Sequence, residues 1–330
     1  MQTLGEIHKK TTGFFANKGV GNARLQSELL LAAALKCKRL DLYLQFERLL
    51  PEETLAQLRD WVRRRAAREP LQYITGETEF RDITLKCDVR ALIPRPETEE
   101  LVEHLLAELP SAPAGEPLGE QTSKPLGKSL PEQSDELPPA TMDESMPAPP
   151  SKSPSTPPSE PVRVADLGTG TGAIALSVAL ERPDSRVWAT DASTDALALA
   201  RENAIRLGLT ERVTFASGNW FDAFSADTPR FHAIAANPPY LTESELATAA
   251  PEVASHEPHT ALVAQKDGLA DLEIILGQAR KYLLEGGFVL LETGLAHAAA
   301  LSALAQNLGY ARHESRKDLS GRDRFFLAWV

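Results

Sequence analysis

VRVADLGTGTGAIALSVAL, residues 162–180, holds a strand, a tight turn and a helix in immediate succession. The apolar run 162–167 is typical of a buried strand. Gly168, Gly170 and Gly172 permit a turn in which backbone N–H groups approach a ligand closely. The small and apolar residues after the last glycine then predict a helix. This strand–loop–helix unit indicates an α/β sheet. Such sheets bind ligands in the crevice between the end of a strand and the start of the next helix, so the loop is also a candidate ligand site.

The same alternation of strands and helices continues toward the C-terminus. Further strands are predicted at 186–190, 213–216, 231–236 and 287–293. A helix is predicted at 270–284, and a short link between the last two predicted strands, 310–315 and 324–330, indicates an antiparallel edge hairpin. Alternating strands and helices favour a parallel sheet. The predicted fold class is therefore α/β, with a Rossmann-like doubly wound sheet.

Two side chains near this loop suit an adenosine cofactor. Asp191 ends the second predicted strand, about twenty residues beyond the glycines, where a carboxylate accepts hydrogen bonds from a ribose diol. Trp220 follows the third strand and can stack on an adenine, although an ordinary rim or core aromatic explains it nearly as well. Gly168, Gly170 and Ala173 also satisfy the dinucleotide fingerprint in its alanine form. The loop alone therefore does not separate NAD from another adenosine cofactor.

Asn237, Pro238, Pro239 and Tyr240 follow the predicted strand 231–236. Two consecutive prolines cannot continue a central strand, so the backbone leaves the sheet in a stiff turn. Since prolines donate no N–H, the turn offers mainly acceptors, the Asn237 side-chain oxygen and the Pro238 carbonyl. Such acceptors suit a substrate with an NH2 group, whereas a tight turn without chemistry is the simpler interpretation of the prolines alone.

Beside an adenosyl site, acceptors for an NH2 group favour methyl transfer from a sulfonium to nitrogen. The Asn237 oxygen and the Pro238 carbonyl would orient the NH2 group and stabilise the charge that develops on nitrogen. The Tyr240 ring would stack on the planar substrate group or face the cation. No general base is needed before the attack, because an N-alkylated amide loses its proton readily afterwards. Asn237, Pro238 and Tyr240 are thus the candidate catalytic residues.

The N-terminal part of the chain has a different pattern. Residues 1–70 predict helices, with Asn22 as a cap and Pro51 at a helix start. One of these helices ends in a basic cluster, which either faces an acidic partner or, as the favoured interpretation, is a solvated face. The cluster consists of Arg63, Arg64, Arg65 and Arg68.

The segment between the helices and the sheet changes its pattern twice. Residues 72–89 show a period of two and predict a strand pair that begins near Tyr73. LIPRPETEE, residues 92–100, then predicts a rigid extended segment followed by a helix. Arg95 and Glu97 could close over a ligand there.

Residues 110–161 differ in composition from the rest of the chain. They hold more than half of the 24 prolines and no aromatic residue. Such a segment cannot bury enough apolar surface to offset its ordering entropy. It is predicted to be a disordered Pro/Ser-rich insert, for which a simple tether is favoured over a set of Pro-rich binding motifs.

The overall composition disfavours several classes of protein. A net charge of −11 gives no overall attraction to nucleic acid or to an anionic membrane. The start lacks the apolar segment of a signal peptide, and no apolar run reaches spanning length. Cys37 and Cys87 show no pairing or metal spacing, which fits a reducing compartment. HEPH, residues 256–259, is not the HExxH pattern, so no metal is predicted. A soluble cytoplasmic protein is expected.

Nine stretches together resemble the bacterial peptide chain release factor N5-glutamine methyltransferases, the PrmC/HemK family. They are PLQYITGETEF (70–80), LIPRPETEELVE (92–103), DLGTGTGAIALSVA (166–179), ATDAS (189–193), GNWFDAF (218–224), ANPPY (236–240), EPHTAL (257–262), DGL (267–269) and KDLSGRDRF (317–325). ANPPY alone is shared with many amino methyltransferases, whereas PRPETE with a helical N-terminus is far more specific. Apart from the tract near 110–161, the resemblance covers nearly the whole chain.

The resemblance implies S-adenosylmethionine as donor and the glutamine of the release-factor Gly-Gly-Gln motif as acceptor, methylated at N5. Donor contacts would come from Gly168, Thr169, Gly170, Thr171, Gly172, Asp191, Trp220 and Asn237. Substrate contacts would come from Asn237, Pro238, Pro239 and Tyr240. The implied partners are class 1 release factors, with no direct nucleic acid and no membrane, and a monomer is expected.

The resemblance also divides the chain. A helical release-factor-binding domain would span 1–70, and a β-hairpin connector with the first helix of the catalytic domain would span 71–109. The disordered insert, 110–161, would precede an S-adenosylmethionine-dependent methyltransferase domain at 162–330. The insert is unusually long and has no assigned role. Gln265-Lys266 stand where the family tends to have glycines, which affects the local loop shape and not the chemistry.

Two other functions match parts of the sequence. A DNA or RNA amino methyltransferase, acting on N6 of adenine, N4 of cytosine or N2 of guanine, would share the NPPY motif. The acidic balance and the lack of a basic, aromatic-rich recognition domain disfavour it. A non-catalytic adenosyl-binding adaptor would predict a damaged turn at 237–240, and this turn is intact.

Overall fold

The computed structural model describes residues 2–111 and 160–330. The predicted insert, 110–161, therefore lies outside the described residues except for two residues at each end. Before the insert the chain forms helices and a short hairpin, and after it a seven-stranded sheet with its helices. The first helices are α1 (Leu4–Asn17), α2 (Ala23–Leu35), α3 (Glu52–Ala66) and α4 (Leu71–Thr75).

The helices α1 to α3 pack around a core of their own. Leu4, Phe15, Leu30, Leu42 and Leu58 from this part of the chain are all buried. Each helix contributes one apolar face, as an amphipathic helix does when it packs on its neighbours. The predicted helical character of residues 1–70 is confirmed.

Asn22 does not cap α2 in the way that the sequence predicted. Its backbone is left-handed, with φ of 50° and ψ of 42°, and its side chain makes no capping hydrogen bond. A capping side chain reaches the first-turn N–H groups from an extended backbone, as Thr3 does at the start of α1. The prediction of a side-chain cap at Asn22 is wrong, because asparagine tolerates the left-handed region and adopts it here.

A two-stranded antiparallel hairpin, β1 (Glu77–Phe80) and β2 (Ile83–Lys86), follows α4. The predicted strand around Tyr73 is wrong, since Tyr73 lies within α4. Pro70 precedes the first turn of this helix, and Gly76 ends it with a left-handed backbone at φ of 79°. Proline before a helix and glycine after it are the usual boundary residues. Together they outweigh the strand-like pattern of only five residues.

Helix α5 (Pro96–Glu108) begins at the second proline of the rigid PRP segment, which occupies its first turn. The main sheet has the strand order β5-β4-β3-β6-β7-β9-β8. Its strands are β3 (Val162–Leu167), β4 (Ser185–Asp191), β5 (Val213–Ser217), β6 (Phe231–Ala236), β7 (Leu283–Glu292), β8 (Arg312–Lys317) and β9 (Asp323–Trp329). β3 to β7 run parallel, and β9 lies antiparallel between β7 and β8. The predicted doubly wound sheet with an edge hairpin is confirmed.

The remaining helices are α6 (Ala173–Glu181), α7 (Thr194–Leu207), α8 (Glu243–Thr248), α9 (Pro251–His256), α10 (Ala270–Ala279) and α11 (Ala298–Asn307). The predicted helix 270–284 thus ends five residues early. Leu283 pairs with Phe231 in the sheet. A Cβ on Gly287 would lie 3.0 Å from the carbonyl oxygen of His232, so only glycine fits this close approach of β7 to β6.

Helices cover both faces of the sheet. Successive strand residues point to opposite faces, so Val164 packs in one core and Ala165 in the other. The first core includes residues of α5, α6 and α7, and the second includes residues of α10 and α11. Burial on both faces explains why these strands are nearly continuous apolar runs. Within the described ranges, no helix is both long and apolar enough to cross a membrane.

The strand order reverses direction at β3. From β3 the chain moves to β4 and β5 on one side, and then to β6 and β7 on the other. A reversal of this kind leaves a crevice at the carboxyl ends of the two central strands, where open α/β sheets bind their ligands. Leu167 and Ala236 are register partners at those ends. The residues that follow them, Gly168 and Asn237, therefore leave the sheet side by side.

Candidate active site

The loop after β3, Gly168 to Gly172, is called the glycine loop below. Gly168, Gly170 and Gly172 all have left-handed backbones, with φ of 72°, 56° and 87°. A Cβ on Gly172 would lie 2.9 Å from Leu176 Cδ1, and a Cβ on Gly168 would lie 3.3 Å from the Trp220 ring. The left-handed backbone favours glycine at both positions, and the Leu176 side chain leaves little room for a Cβ at Gly172.

A buried carboxylate anchors the glycine loop from below. Asp166 accepts hydrogen bonds from the Thr169 hydroxyl at 2.6 Å and from the Ala175 N–H at 3.1 Å. Burial raises the pKa of Asp166 to about 7. Its other oxygen, Oδ1, is buried without a hydrogen-bond partner among the described residues. The sequence placed Asp166 within a motif and assigned it no role.

Asp191 lies at the end of β4, against the same loop. Its Oδ2 accepts from the Gly170 N–H at 2.9 Å, and its Oδ1 accepts from the Ser193 N–H at 2.8 Å. Burial raises the pKa of Asp191. Each carboxylate oxygen has two acceptor positions, so the side chain can still accept from a ligand.

A cavity of about 360 Å³ opens above the glycine loop. Its walls include seven of the eight residues that the sequence predicted for the donor: Gly168, Thr169, Gly170, Thr171, Asp191, Trp220 and Asn237. Gly172 supports the loop and does not line the cavity. Trp220 is held in place because its Nε1 donates to Asp271 Oδ1 at 3.1 Å. Seven of the eight predicted residues, drawn from four separate stretches, thus meet in one cavity.

The turn after β6, Asn237 to Tyr240, is called the proline corner below. It borders a second cavity of about 110 Å³, which Asn237, Pro238 and Tyr240 line. Pro239 instead lines the larger cavity. Asn237 lines both cavities. The glycine loop and the proline corner therefore face one edge of the sheet, and Asn237 is among the residues that line both cavities.

A buried hydrogen-bond chain connects the two ends of the proline corner. Asn237 Nδ2 donates to Thr98 Oγ1 at 3.0 Å, and the Thr98 hydroxyl donates to Glu292 Oε2 at 2.7 Å. The Tyr240 hydroxyl donates to the other oxygen, Glu292 Oε1, at 3.0 Å. Thr98 comes from α5 and Glu292 from the end of β7.

Sequence reasoning gave Thr98 and Glu292 no role. One signal was available for Glu292: it ends a parallel strand, and polar residues at the carboxyl ends of such strands often face the ligand crevice. Thr98 carried no comparable signal, because its position in the first turn of a helix is explained by local structure alone. Burial raises the pKa of both Glu292 and Tyr240.

Arg95 and Glu97, which the sequence suggested could close over a ligand, are separated in the structure. Arg95 lines both cavities and donates to Glu257 Oε1 at 2.6 Å. Glu97 instead lies 3.8 Å from the Arg322 guanidinium. Glu257 is buried and also accepts from the Ile93 N–H at 3.2 Å. The segment before α5 is thereby joined to the loop after α9.

Two side chains of the HEPH stretch, Glu257 and His259, contact different partners. Glu257 faces Arg95, whereas His259 is exposed and lies 3.2 Å from Glu243. In the part of the chain covered by the structure, no group of three His, Cys, Asp or Glu side chains could hold a metal ion. The described cysteines, Cys37 and Cys87, are both free.

The basic cluster at the end of α3 is not a solvated face throughout. Arg65 is buried, and its guanidinium lies 2.8 Å from Glu252 of α9. Arg68 pairs with the other oxygen of the same carboxylate, also at 2.8 Å. The favoured interpretation is therefore wrong for these two arginines, since they join the N-terminal helices to the segment beside the smaller cavity, which Val253 lines.

Comparison with known proteins gives consistent matches. A family model described as the PrmC N-terminal domain matches residues 6–76, and one described as the methyltransferase small domain matches residues 155–264. The release factor glutamine methyltransferase of Coxiella burnetii is 36% identical over 307 residues, covering 92% of this chain and 91% of that protein. Those of Geobacter sulfurreducens and Deinococcus radiodurans are 34% and 35% identical, with 98% of this chain covered in each case and 95% and 98% of the relatives.

Proposed function

This chain belongs to the release factor glutamine methyltransferase family, and from that premise we propose that it methylates N5 of the glutamine in the Gly-Gly-Gln motif of class 1 peptide chain release factors. The observation that carries this proposal is the position of Asn237 on the wall between a larger and a smaller cavity. Such a wall suits a reaction that transfers a group between two ligands held on either side of one residue.

The larger cavity fits the donor of this family, S-adenosylmethionine. Its volume of about 360 Å³ lies within the range of small-molecule sites. The glycine loop offers backbone N–H groups without side chains, Asp191 offers a carboxylate for a ribose, and Trp220 offers an aromatic surface. When bound, this cofactor supplies an electrophilic methyl group on a positively charged sulfur.

The proline corner supplies the acceptor side. Asn237 Nδ2 is already committed to Thr98, which leaves Asn237 Oδ1 to accept from a substrate NH2 group. The Pro238 carbonyl is a second acceptor, since the following proline has no N–H and the turn is rigid. Together these oxygens would align the glutamine nitrogen and stabilise the positive charge that develops on it. The extra proton leaves to water after the transfer.

Tyr240 has a supporting position in the smaller cavity. Its hydroxyl is fixed by Glu292 at 3.0 Å, and the Arg324 guanidinium lies 5.7 Å from the centre of its ring. A fixed ring loses little entropy when a planar amide packs against it. We propose that Tyr240 shapes the cavity for a glutamine side chain, together with Leu241 and Val253.

The N-terminal helices are proposed to bind the release factor. Residues 1–70 contain 13 Lys and Arg against 8 Asp and Glu, in a chain with a net charge of −11. Leu40 and Leu44, between α2 and α3, are 71% and 87% exposed. Exposed apolar residues in a basic setting are suited to protein recognition. A cytoplasmic location follows from the proposed substrate, and the monomeric state stays a prediction.

The proposal is tested by incubating the protein with labelled S-adenosylmethionine and a purified release factor, followed by mass mapping of the product. Label on the glutamine of the Gly-Gly-Gln motif is the expected result. A release factor in which this glutamine is replaced by alanine is the matched control and should stay unlabelled. Label on added DNA or RNA, with none on the release factor, would favour the amino methyltransferase of nucleic acid.

A further inference from the structure

The Asn237 amide can act as an acceptor only in one of its two orientations. When Oδ1 points toward the cavities, the amide accepts a hydrogen bond from a substrate NH2 group. When Nδ2 points there instead, its N–H donors face the NH2 donors and no hydrogen bond forms. We propose that Thr98 and Glu292 are positioning residues that hold the amide in its accepting orientation. This inference rests on the proposed function, since it assumes an NH2 substrate at the proline corner.

The direction of each hydrogen bond follows from the number of available protons. An ionised Glu292 accepts only, so the Thr98 hydroxyl must donate its single proton to Oε2, 2.7 Å away. The Thr98 oxygen can then only accept from Asn237, and the amide proton comes from Nδ2 at 3.0 Å. A flipped amide would place two acceptors against each other. The carboxylate thus sets the orientation of Asn237 through one intervening hydroxyl.

The same carboxylate also fixes the far end of the proline corner. The Tyr240 hydroxyl donates to Oε1 of Glu292 at 3.0 Å. Glu292 is 1% exposed and Thr98, which also lines the larger cavity, is 4% exposed, so little water reaches these bonds. In such surroundings an unmade hydrogen bond is costly, and the chain of bonds favours one arrangement over the alternatives.

Protonation of Glu292 would reverse the donor and acceptor directions of these hydrogen bonds. A neutral carboxyl group donates one proton, so Thr98 or Tyr240 would have to accept, and a Thr98 hydroxyl that accepts from Glu292 is free to donate to a flipped Asn237. The charged groups facing Glu292 are Arg324 from β9 and Glu97 from α5, beside the Tyr240 phenol. Burial raises the pKa of Glu292, while the hydrogen bonds from Thr98 and Tyr240 and the charge of Arg324 oppose this effect and Glu97 adds to it. Turnover is therefore expected to fall with acid at a pH above the ordinary range of glutamates.

The first test compares Thr98→Val with Thr98→Ser. Valine keeps the shape and removes the hydroxyl, so kcat is expected to fall about 30- to 100-fold while the dissociation constant of S-adenosylmethionine changes less than about threefold. Serine keeps the hydroxyl and is expected to restore kcat to within about fivefold of the wild type. Thr84→Val, at an exposed position of β2, is the matched control and should leave kcat unchanged. Equal kcat for the valine variant and the wild type would overturn the inference.

A double-mutant cycle tests whether Thr98 acts through Asn237. If it does, Thr98→Val should have almost no further effect on single-turnover rates in an Asn237→Ala background. Additive losses would show that Thr98 contributes independently and would contradict its positioning role. The two failures are distinguishable. A wild-type protein that does not label the release factor refutes the proposed function, whereas an active wild type with additive losses in the cycle refutes only the positioning role of Thr98.

The pH profile of Glu292→Gln provides a second readout that does not depend on Thr98. Glutamine keeps the shape but does not titrate, and only one of its two orientations gives Thr98 an acceptor. We expect a kcat about tenfold lower and an acid limb that is absent from the variant. Glu285→Gln, at an exposed position of the same strand, should keep both kcat and the acid limb. An unchanged acid limb in Glu292→Gln would contradict the role of Glu292.

Discussion

The glycine loop and the proline corner both rest on a buried carboxylate, but the two carboxylates take their partners from different distances along the chain. Asp166 bonds to residues three and nine positions away. Glu292 bonds to Thr98, 194 positions away, and to Tyr240, 52 positions away. The carboxylate beneath the glycine loop therefore bonds within one strand–loop–helix segment, although the loop backbone also bonds to Thr190 and Asp191 of β4. The carboxylate beneath the proline corner gains its partners only once α5, β6 and β7 have packed together.

The comparison assigns different tasks to the two regions. The glycine loop lines only the larger cavity and should determine how tightly the donor binds. The proline corner lines the smaller cavity as well and should determine turnover. Substitutions that separate binding of the donor from turnover are the way to break or sharpen this division.

Asn237→Ala is expected to have the largest effect. It removes the amide that we propose aligns the acceptor nitrogen, so kcat should fall about 100- to 1,000-fold, while donor affinity should stay within about tenfold of the wild type. Single-turnover kinetics and calorimetry of donor binding measure the two quantities separately. A variant with near-normal turnover would remove Asn237 from its proposed role.

Gly168→Ala should have a smaller effect of the opposite kind. An alanine with φ of 72° is strained by roughly 1–2 kcal/mol, and its Cβ would lie 3.3 Å from the Trp220 ring. Because the loop must relax from the shape that we propose binds the donor, the dissociation constant of the donor is expected to rise about tenfold, with kcat at saturation changed less than about threefold. Gly277→Ala in α10 meets nothing within 4 Å and is the control. A loss confined to kcat would contradict the division of tasks.

The smallest expected effect concerns the anchor of the glycine loop and is seen in stability. Burial raises the pKa of Asp166 to about 7 from an ordinary 3.8. A carboxyl group whose pKa rises on folding favours the fold while protonated, and that contribution is lost as the pH increases from about 4 to about 7. Asp166→Asn stays neutral and keeps an acceptor for Thr169 and Ala175.

The difference in Tm between Asp166→Asn and the wild type should therefore become more favourable to the variant as the pH increases through this window. Thermal unfolding at a series of pH values measures it. A difference that does not change with pH would show that folding does not raise the pKa of Asp166.

These two regions also show what a sequence can and cannot reveal. The strand β6 was predicted at its observed limits. Its C-terminal limit is clear because the two prolines that follow have a fixed φ and no N–H to donate to a neighbouring strand. The glycine loop was likewise predicted, since its strand, turn and helix are consecutive in the chain. By contrast, Tyr73 was placed in a strand because a five-residue helix carries too little periodicity to be recognised.

The buried chain beneath the proline corner had no local signature. Thr98 is explained by a helix start, and Glu292 by the end of a strand, so neither position required a function. Their meeting depends on the packing of α5 on the sheet, which pattern analysis does not address. Arg65 was similarly read as a surface residue, because its partner Glu252 lies 187 positions away.

The most direct test of the central claim, that Asn237 stands between donor and acceptor, is a crystal structure with S-adenosylhomocysteine and a peptide containing Gly-Gly-Gln. We expect the cofactor product in the larger cavity and the glutamine in the smaller one, its NH2 group donating to Asn237 Oδ1 and to the Pro238 carbonyl, with Asn237 Nδ2 still bonded to Thr98. A glutamine bound outside the smaller cavity, or an amide with Nδ2 toward the substrate, would contradict this account.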